Sequence, residues 1–181
     1  FSVVDAVLLR QLPVQAPEEF VLFEWDSGKS FRTSGVRGTF IPDYYAPGRR
    51  GASMFQPAVV QKMKEQAEQP DSPLRDLFVF ANMGNFTVVA DQQAEMAEGQ
   101  VVSGTYFSGL GVSALRGRML APADDNITAP PAAVISFDYW QTRFAGNENV
   151  IGKQVTINKN PYTVVGVTPP AFKGCGQVSE K

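Results

Sequence analysis

Residues 101–112 read VVSGTYFSGLGV, and the role of this stretch decides how the rest of the chain is read. A valine pair leads into three glycines, Gly104, Gly109 and Gly111, as at the end of a strand. Glycine-rich turns from strand to helix often hold phosphate. Gly104-TYFS-Gly109 has the spacing of a phosphate loop, but Leu110 and Gly111 stand where Lys and Ser or Thr are required. Gly109-x-Gly111 is followed by Ala114, not by the third glycine of a dinucleotide fingerprint. Tyr106 and Phe107 are too bulky for backbone that must wrap a phosphate. Tyr106, Phe107 and Leu110 instead have the i, i+1, i+4 spacing of a short buried helix, which Gly111 would stop in the left-handed conformation. The stretch reads as a packing joint.

Outward from this joint, Ala94–Ser103 reads as a strand, and Asp91-Gln92-Gln93 as a turn. Asn85–Ala90 alternates with a period of two, and Leu77–Ala81 reads as a separate buried strand. Gln56–Gln69 predicts an amphipathic helix with Pro57 in its first turn and Val59, Val60, Met63 and Ala67 on one face. On the other side, Ala132–Ile135 predicts a short strand. Ser136 would cap a helix over Phe137–Ala145, and Gly146 would end it. Residues 153–167 predict a hairpin turning at 158–161. Residues 1–11 read as helix, Phe20–Trp25 as a buried strand, and 26–55 as a glycine- and proline-rich excursion. The pattern is α+β with mixed and antiparallel sheets.

The composition excludes several chemistries. The 181 residues contain no histidine and one cysteine, Cys175. A Ser-His-Asp relay, an internal disulfide and a Cys/His metal cage are therefore closed to this chain. A net charge of −2 lacks the clustered basic excess of a nucleic-acid surface. The acidic pairs do not form an acid–base couple. Asp124-Asp125 sits in a proline-rich loop where Arg118 is expected as a surface partner, and Glu95 and Glu98 face opposite sides of a strand. Catalytic, cofactor and metal residues are accordingly expected to be none. Cys175 reads as an incidental small residue, and the sequons at Asn85 and Asn126 carry no weight alone.

Several stretches taken together resemble one family. They are FSVVDAVLLRQLP, GQVVSGTYFSGLGV with RGRML, and AVISFDYWQTRFAGNENVIGKQVTINKNPYTVVGVTPPAF. They are similar to the MacB-like periplasmic core domain of ABC transporter permases of the FtsX-like superfamily. That family's recurring phrases have the form VSxxYFxxLGVxxxxGRxF and SxxxWxxxFGxDxxVIGKxxxxNxxxxxVVGVxPxxF. Val102, Ser103, Tyr106, Phe107, Leu110, Gly111, Val112, Gly117 and Arg118 match the first. Ser136, Trp140, Phe144, Gly152, Lys153, Asn158, Gly166, Pro169 and Phe172 are among the matches to the second. Met119 replaces the usual Phe, and Ala145 and Asn147 stand near the usual Gly and Asp.

The resemblance implies a porter-like βαβ part joined to an inserted smaller α+β lobe. Residues 1–13 would be the outer end of a first transmembrane helix, 18–92 the first porter-like half, 93–172 the inserted lobe, and 173–181 the start of a return segment. It implies no catalysis and no cofactor. The domain would lie on the periplasmic side of the inner membrane. It would couple ATP-driven transmembrane motion to substrate or partner handling outside. The partners implied are its own transmembrane helices, a cytoplasmic ATPase, a second copy of the chain and a periplasmic adaptor. The alternative is a module that captures a lipid, peptide or small molecule between its lobes. The residues expected as structural anchors are Tyr106, Phe107, Leu110, Gly111, Trp140, Phe144, Gly152 and Gly166.

Overall fold

The structure is a computed structural model. It describes residues 55–74 and 76–175, with Val14, residues 19–21, Phe23, Trp25–Asp26 and Gly51–Ala52. The expected helix at 1–11 and most of the 26–55 excursion lie outside these residues. Chain contacts define two compact units, residues 1–10 with 16–73, and residues 11–15 with 74–181.

In the first unit, β1 (Trp25–Asp26) pairs antiparallel with β2 (Gly51–Ala52). Helix α1 runs Pro57–Ala67 with proline at its first position, where a missing N–H costs nothing. Its Val60, Met63 and Ala67 are half-buried, while Val59 is 45% exposed, so the apolar stripe is narrower than the sequence pattern.

The second unit is a six-stranded mixed sheet. Strands β3 (Phe80–Ala90) and β4 (Gln93–Val102) form a long hairpin. Asp91 and Gln92 make its turn, both at positive φ. Short helix α2 (Tyr106–Gly109) follows, then β5 (Arg116–Gly117), a 3-10 turn at Pro122–Asp125, and β6 (Ala132–Ile135). Helix α3 (Phe137–Phe144) leads to the hairpin of β7 (Gln154–Ile157) and β8 (Asn160–Val167). β7 pairs with β3 on one side and with β8 on the other. β6 runs parallel to β8 over Thr163–Val167, overlapping the stretches that β7 and β5 occupy, so β6 must take the opposite edge. β4 forms an outer edge of the sheet.

One difference from the sequence reading has a local cause. Of the strands expected at 77–81 and 85–90, Phe80–Ala81 and the second segment form one strand, and residues 77–79 precede it outside the sheet. The interruption in that strand is a bulge between Asn82 and Gly84, with Gly84 at φ +71°. Positions 92 and 93 lie at the tip of the β3–β4 hairpin. β3 and β4 pair over ten positions, and the unit containing them begins at Leu74.

The bulge has a consequence for packing. Above it, Phe86, Val88 and Ala90 pair with Ala97, Glu95 and Gln93. Val88 and Ala90 enter a core with Trp140, Phe144, Val150, Val155, Val164 and Val167, and Phe86 and Ala97 pack against it. Below it, Phe80 pairs with Val102, and Asn82 with Gln100. β4 continues without an extra residue, so odd-numbered Glu95 and Ala97 face opposite to even-numbered Gln100 and Val102. One hairpin therefore serves two cores on opposite faces.

Candidate functional site: the aromatic neck

The second core is built around residues 103–112. Helix α2 is a single turn, too short to persist without tertiary contacts. Burial supplies them: Tyr106 is 1%, Phe107 5% and Leu110 0% exposed. The helix ends in a Schellman motif. Gly111 sits at φ +66°, its N–H donating to Ser108 O (3.0 Å), and Val112 N–H donates to Phe107 O (2.8 Å). Val112 then turns back into the interior.

The Tyr106 ring lies 5.6 Å from Phe78 edge-on, 6.0 Å from Phe80, 5.1 Å from Phe107 and 6.2 Å from Phe172. Edge-to-face pairs of this kind add ~0.5–1.5 kcal/mol each beyond area burial. The other two glycines allow close approach. A Cβ on Gly104 would lie 2.2 Å from Ala121 O, and one on Gly109 2.6 Å from Phe78 Cδ1.

Two stretches of chain meet here. The inbound one, residues 77–79, is held by the start of the motif. Ser103 N–H donates to Val79 O (2.8 Å), Val79 N–H donates to Ser103 Oγ (2.9 Å), and Thr105 Oγ1 donates to Leu77 O (3.0 Å). The outbound one, residues 172–175, is held by side chains. Cys175 N–H donates to the Tyr106 hydroxyl (3.0 Å), and that hydroxyl donates to Gln100 Oε1 (3.0 Å). Gln100 Nε2 donates to Cys175 O and to Asn82 Oδ1. Phe172 adds its ring. Burial holds the Tyr106 phenol far above its usual pKa, and burial likewise raises the Cys175 thiol.

An acidic loop closes the base of the motif. Arg118 donates to both carboxylate oxygens of Asp124 (2.7 and 2.8 Å), and Ala121 N–H donates to Asp124 Oδ2 (2.8 Å). The hydrogen bonds from Arg118 hold the Asp124 carboxyl below its ordinary pKa, against partial desolvation. Asp125 Oδ1 accepts from Gly104 N–H (2.7 Å). The two acids point to different partners.

Trp140 and Phe144 belong to the first core, 5% and 8% exposed. Ser136 Oγ accepts from Tyr139 N–H (3.1 Å) at the start of α3. The end differs slightly from expectation, because Ala145 as well as Gly146 is left-handed, at φ +50° and +69°. Trp140 Nε1 donates to Asn147 O (2.9 Å). Around this core, Glu95 bonds Arg143 (2.8 Å) and accepts from the Tyr139 hydroxyl (2.6 Å). Gly152 is at φ +85° in open space, a turn position. Gly166 is needed for contact, since a Cβ there would lie 2.0 Å from Arg118 O.

Gln100, Ser103, Thr105, Phe172 and Cys175 were not singled out by sequence as one group. Of these, Ser103 and Phe172 alone match fixed positions of the family phrases. Among the described residues no three acidic or cysteine side chains converge, and no helix is long and apolar enough to cross a membrane. One open concavity is rimmed by Ser108, Val112, Gly117 and Met119.

A mixed sheet whose inbound and outbound segments are both fastened on residues 100–106 defines an α+β domain. The chain belongs to the MacB-like periplasmic core domain family, whose profile matches residues 16–180. The periplasmic region of MacB from Actinobacillus actinomycetemcomitans superposes with a TM-score of 0.52 at 21% identity, covering 75% of this chain and 59% of that one. The extracellular domain of the noncanonic ABC-type transporter YknZ from Gram-positive bacteria gives 0.51 at 17% identity, covering 65% and 59%. This chain thus spans about three fifths of those structures. No curated protein matches it.

Proposed function

We propose that this chain is the non-catalytic, extracytoplasmic lever of an ABC-type permease. It couples ATP-driven motion of transmembrane helices to the handling of a substrate or partner outside the membrane. One observation carries this reading: the inbound and outbound segments of the sheet unit are both fixed on residues 100–106. Two segments fastened on one set of residues can pass a displacement from one to the other. A coupling element needs only two arrangements with different affinity for what it touches.

In this reading the lobe begins near Leu74 and runs through Phe172. Residues 16–73 contribute to the porter-like half, 1–13 adjoin the membrane, and 173–181 begin the return. Tyr106, Phe107, Leu110, Gly111, Trp140, Phe144, Gly152 and Gly166 serve the lobe's rigidity. The partners are the permease's own membrane helices and, through them, a cytoplasmic ATPase. A second copy and a periplasmic adaptor are further partners on the same reading.

The test replaces residues 80–171 of the full-length permease with a short Gly/Ser linker and reconstitutes it with its ATPase. ATP hydrolysis should persist while transport is lost. Transport at the original rate would end the proposal.

A further inference from the structure

The two sides of the neck are fastened differently. The inbound segment is joined by a backbone bond, Ser103 N–H to Val79 O, reinforced by two hydroxyls. Among the described residues the outbound segment has no such backbone bond at Cys175. Its N–H and C=O are both satisfied by side chains, the Tyr106 hydroxyl and the Gln100 amide. Tyr106 is only 1% exposed, and a phenylalanine there would keep all four ring contacts. The hydroxyl is therefore not needed for packing. It holds Cys175, through the backbone N–H and the thiol, against Gln100.

We propose that Tyr106 and Gln100 form a releasable catch, and that the neck opens by undocking residues 172–175 while the sheet and both cores stay folded. Side-chain fasteners suit such a step. They can exchange a buried backbone partner for water by moving one short segment, whereas unpairing the inbound side disturbs β3 and the start of α2. Local openings of this kind lie below the global unfolding free energy. The inference rests on the lever reading and supplies the lever with its second arrangement.

Cys175 makes the opening measurable. It is the chain's one cysteine and is 1% exposed, so a thiol reagent reaches it only when the segment leaves. Labelling of native protein should be nearly independent of low denaturant concentration, while amide exchange in β8 follows global unfolding. Tyr106→Phe should speed Cys175 labelling about tenfold, the worth of one buried hydrogen bond, with a smaller change in β8 exchange. Gln100→Ala should act in the same direction and carries the test if the first variant does not fold. Tyr139→Phe, which removes a hydroxyl from the other core, should leave labelling unchanged. If Cys175 labelling tracks β8 exchange in the wild type and in every variant, the neck opens only with the whole fold and the catch does not exist. Local opening together with unimpaired transport in catch variants of the full-length permease would keep the catch and discard its role in coupling.

Discussion

Trp140 and Tyr106 are both buried aromatic residues that donate a hydrogen bond, and they sit at the centres of differently built cores. Around Trp140 the partners are mostly valines on β3, β7 and β8, and the indole N–H goes to a local carbonyl seven residues on. Around Tyr106 the partners are phenylalanines from both ends of the unit, and the hydroxyl joins segments 69 residues apart in sequence. The first core is what β-branched residues on a pleated surface produce by themselves. The second brings chain connections together. Conserving shape would suffice for the first, while the second also depends on particular polar atoms.

The largest effects should come from truncating each centre. Trp140→Ala and Phe107→Ala should each cost about 3–5 kcal/mol in urea unfolding. A near-zero shift for either would show that its core does not support the unit. Glycine substitutions come next. Gly104→Ala should cost about 1–3 kcal/mol by overpacking against the Ala121 carbonyl, and Gly111→Ala about 1 kcal/mol through its left-handed backbone. Equal melting temperatures for wild type and Gly104→Ala would mean the acidic loop yields freely.

Alkaline pH tests both cores at once. Tyr106 and Tyr139 both have folded pKa values raised by burial, Tyr139 also by its bond to Glu95. Their contribution is fully present below the unfolded tyrosine pKa of about 10 and is lost as pH rises above it. Stability should fall above that pH, and Tyr106→Phe should make the fall shallower. An unchanged alkaline limb in Tyr106→Phe would contradict the buried hydroxyl. The smallest effect belongs to Asp124. Its folded pKa is depressed, so its contribution is present above the unfolded carboxylate value of about 3.9 and is lost as pH falls through the folded one. Arg118 is half-exposed, so the pair contributes about 1 kcal/mol or less. Asp124→Asn should flatten the acid limb slightly in thermal melts.

Local rules explain what could be read beforehand. Ser136 before an apolar-periodic run gave α3, and Asn158-Lys159 between alternating segments gave the β7–β8 hairpin. The spacing of Tyr106, Phe107 and Leu110 with Gly111 behind them gave α2 and its stop. The neck's polar half was not readable. Gln100 and Cys175 look like an ordinary strand residue and an incidental small residue, and their pairing depends on where β8 delivers the chain. The face switch at Gly84 was hidden as well, because a glycine between two alternating runs reads as a gap between strands.

That bulge also limits how the hairpin can change. Side chains along a strand keep a two-residue phase, and Met83 is a phase slip placed in β3 alone. Deleting it would bring the strands into a single register, and the aromatic neck and the valine core would then compete for one side of the hairpin. Length changes in β3 or β4 are therefore tolerable only in compensating pairs. The count of residues between Phe80 and Ala90 is itself part of the design, independent of what those residues are.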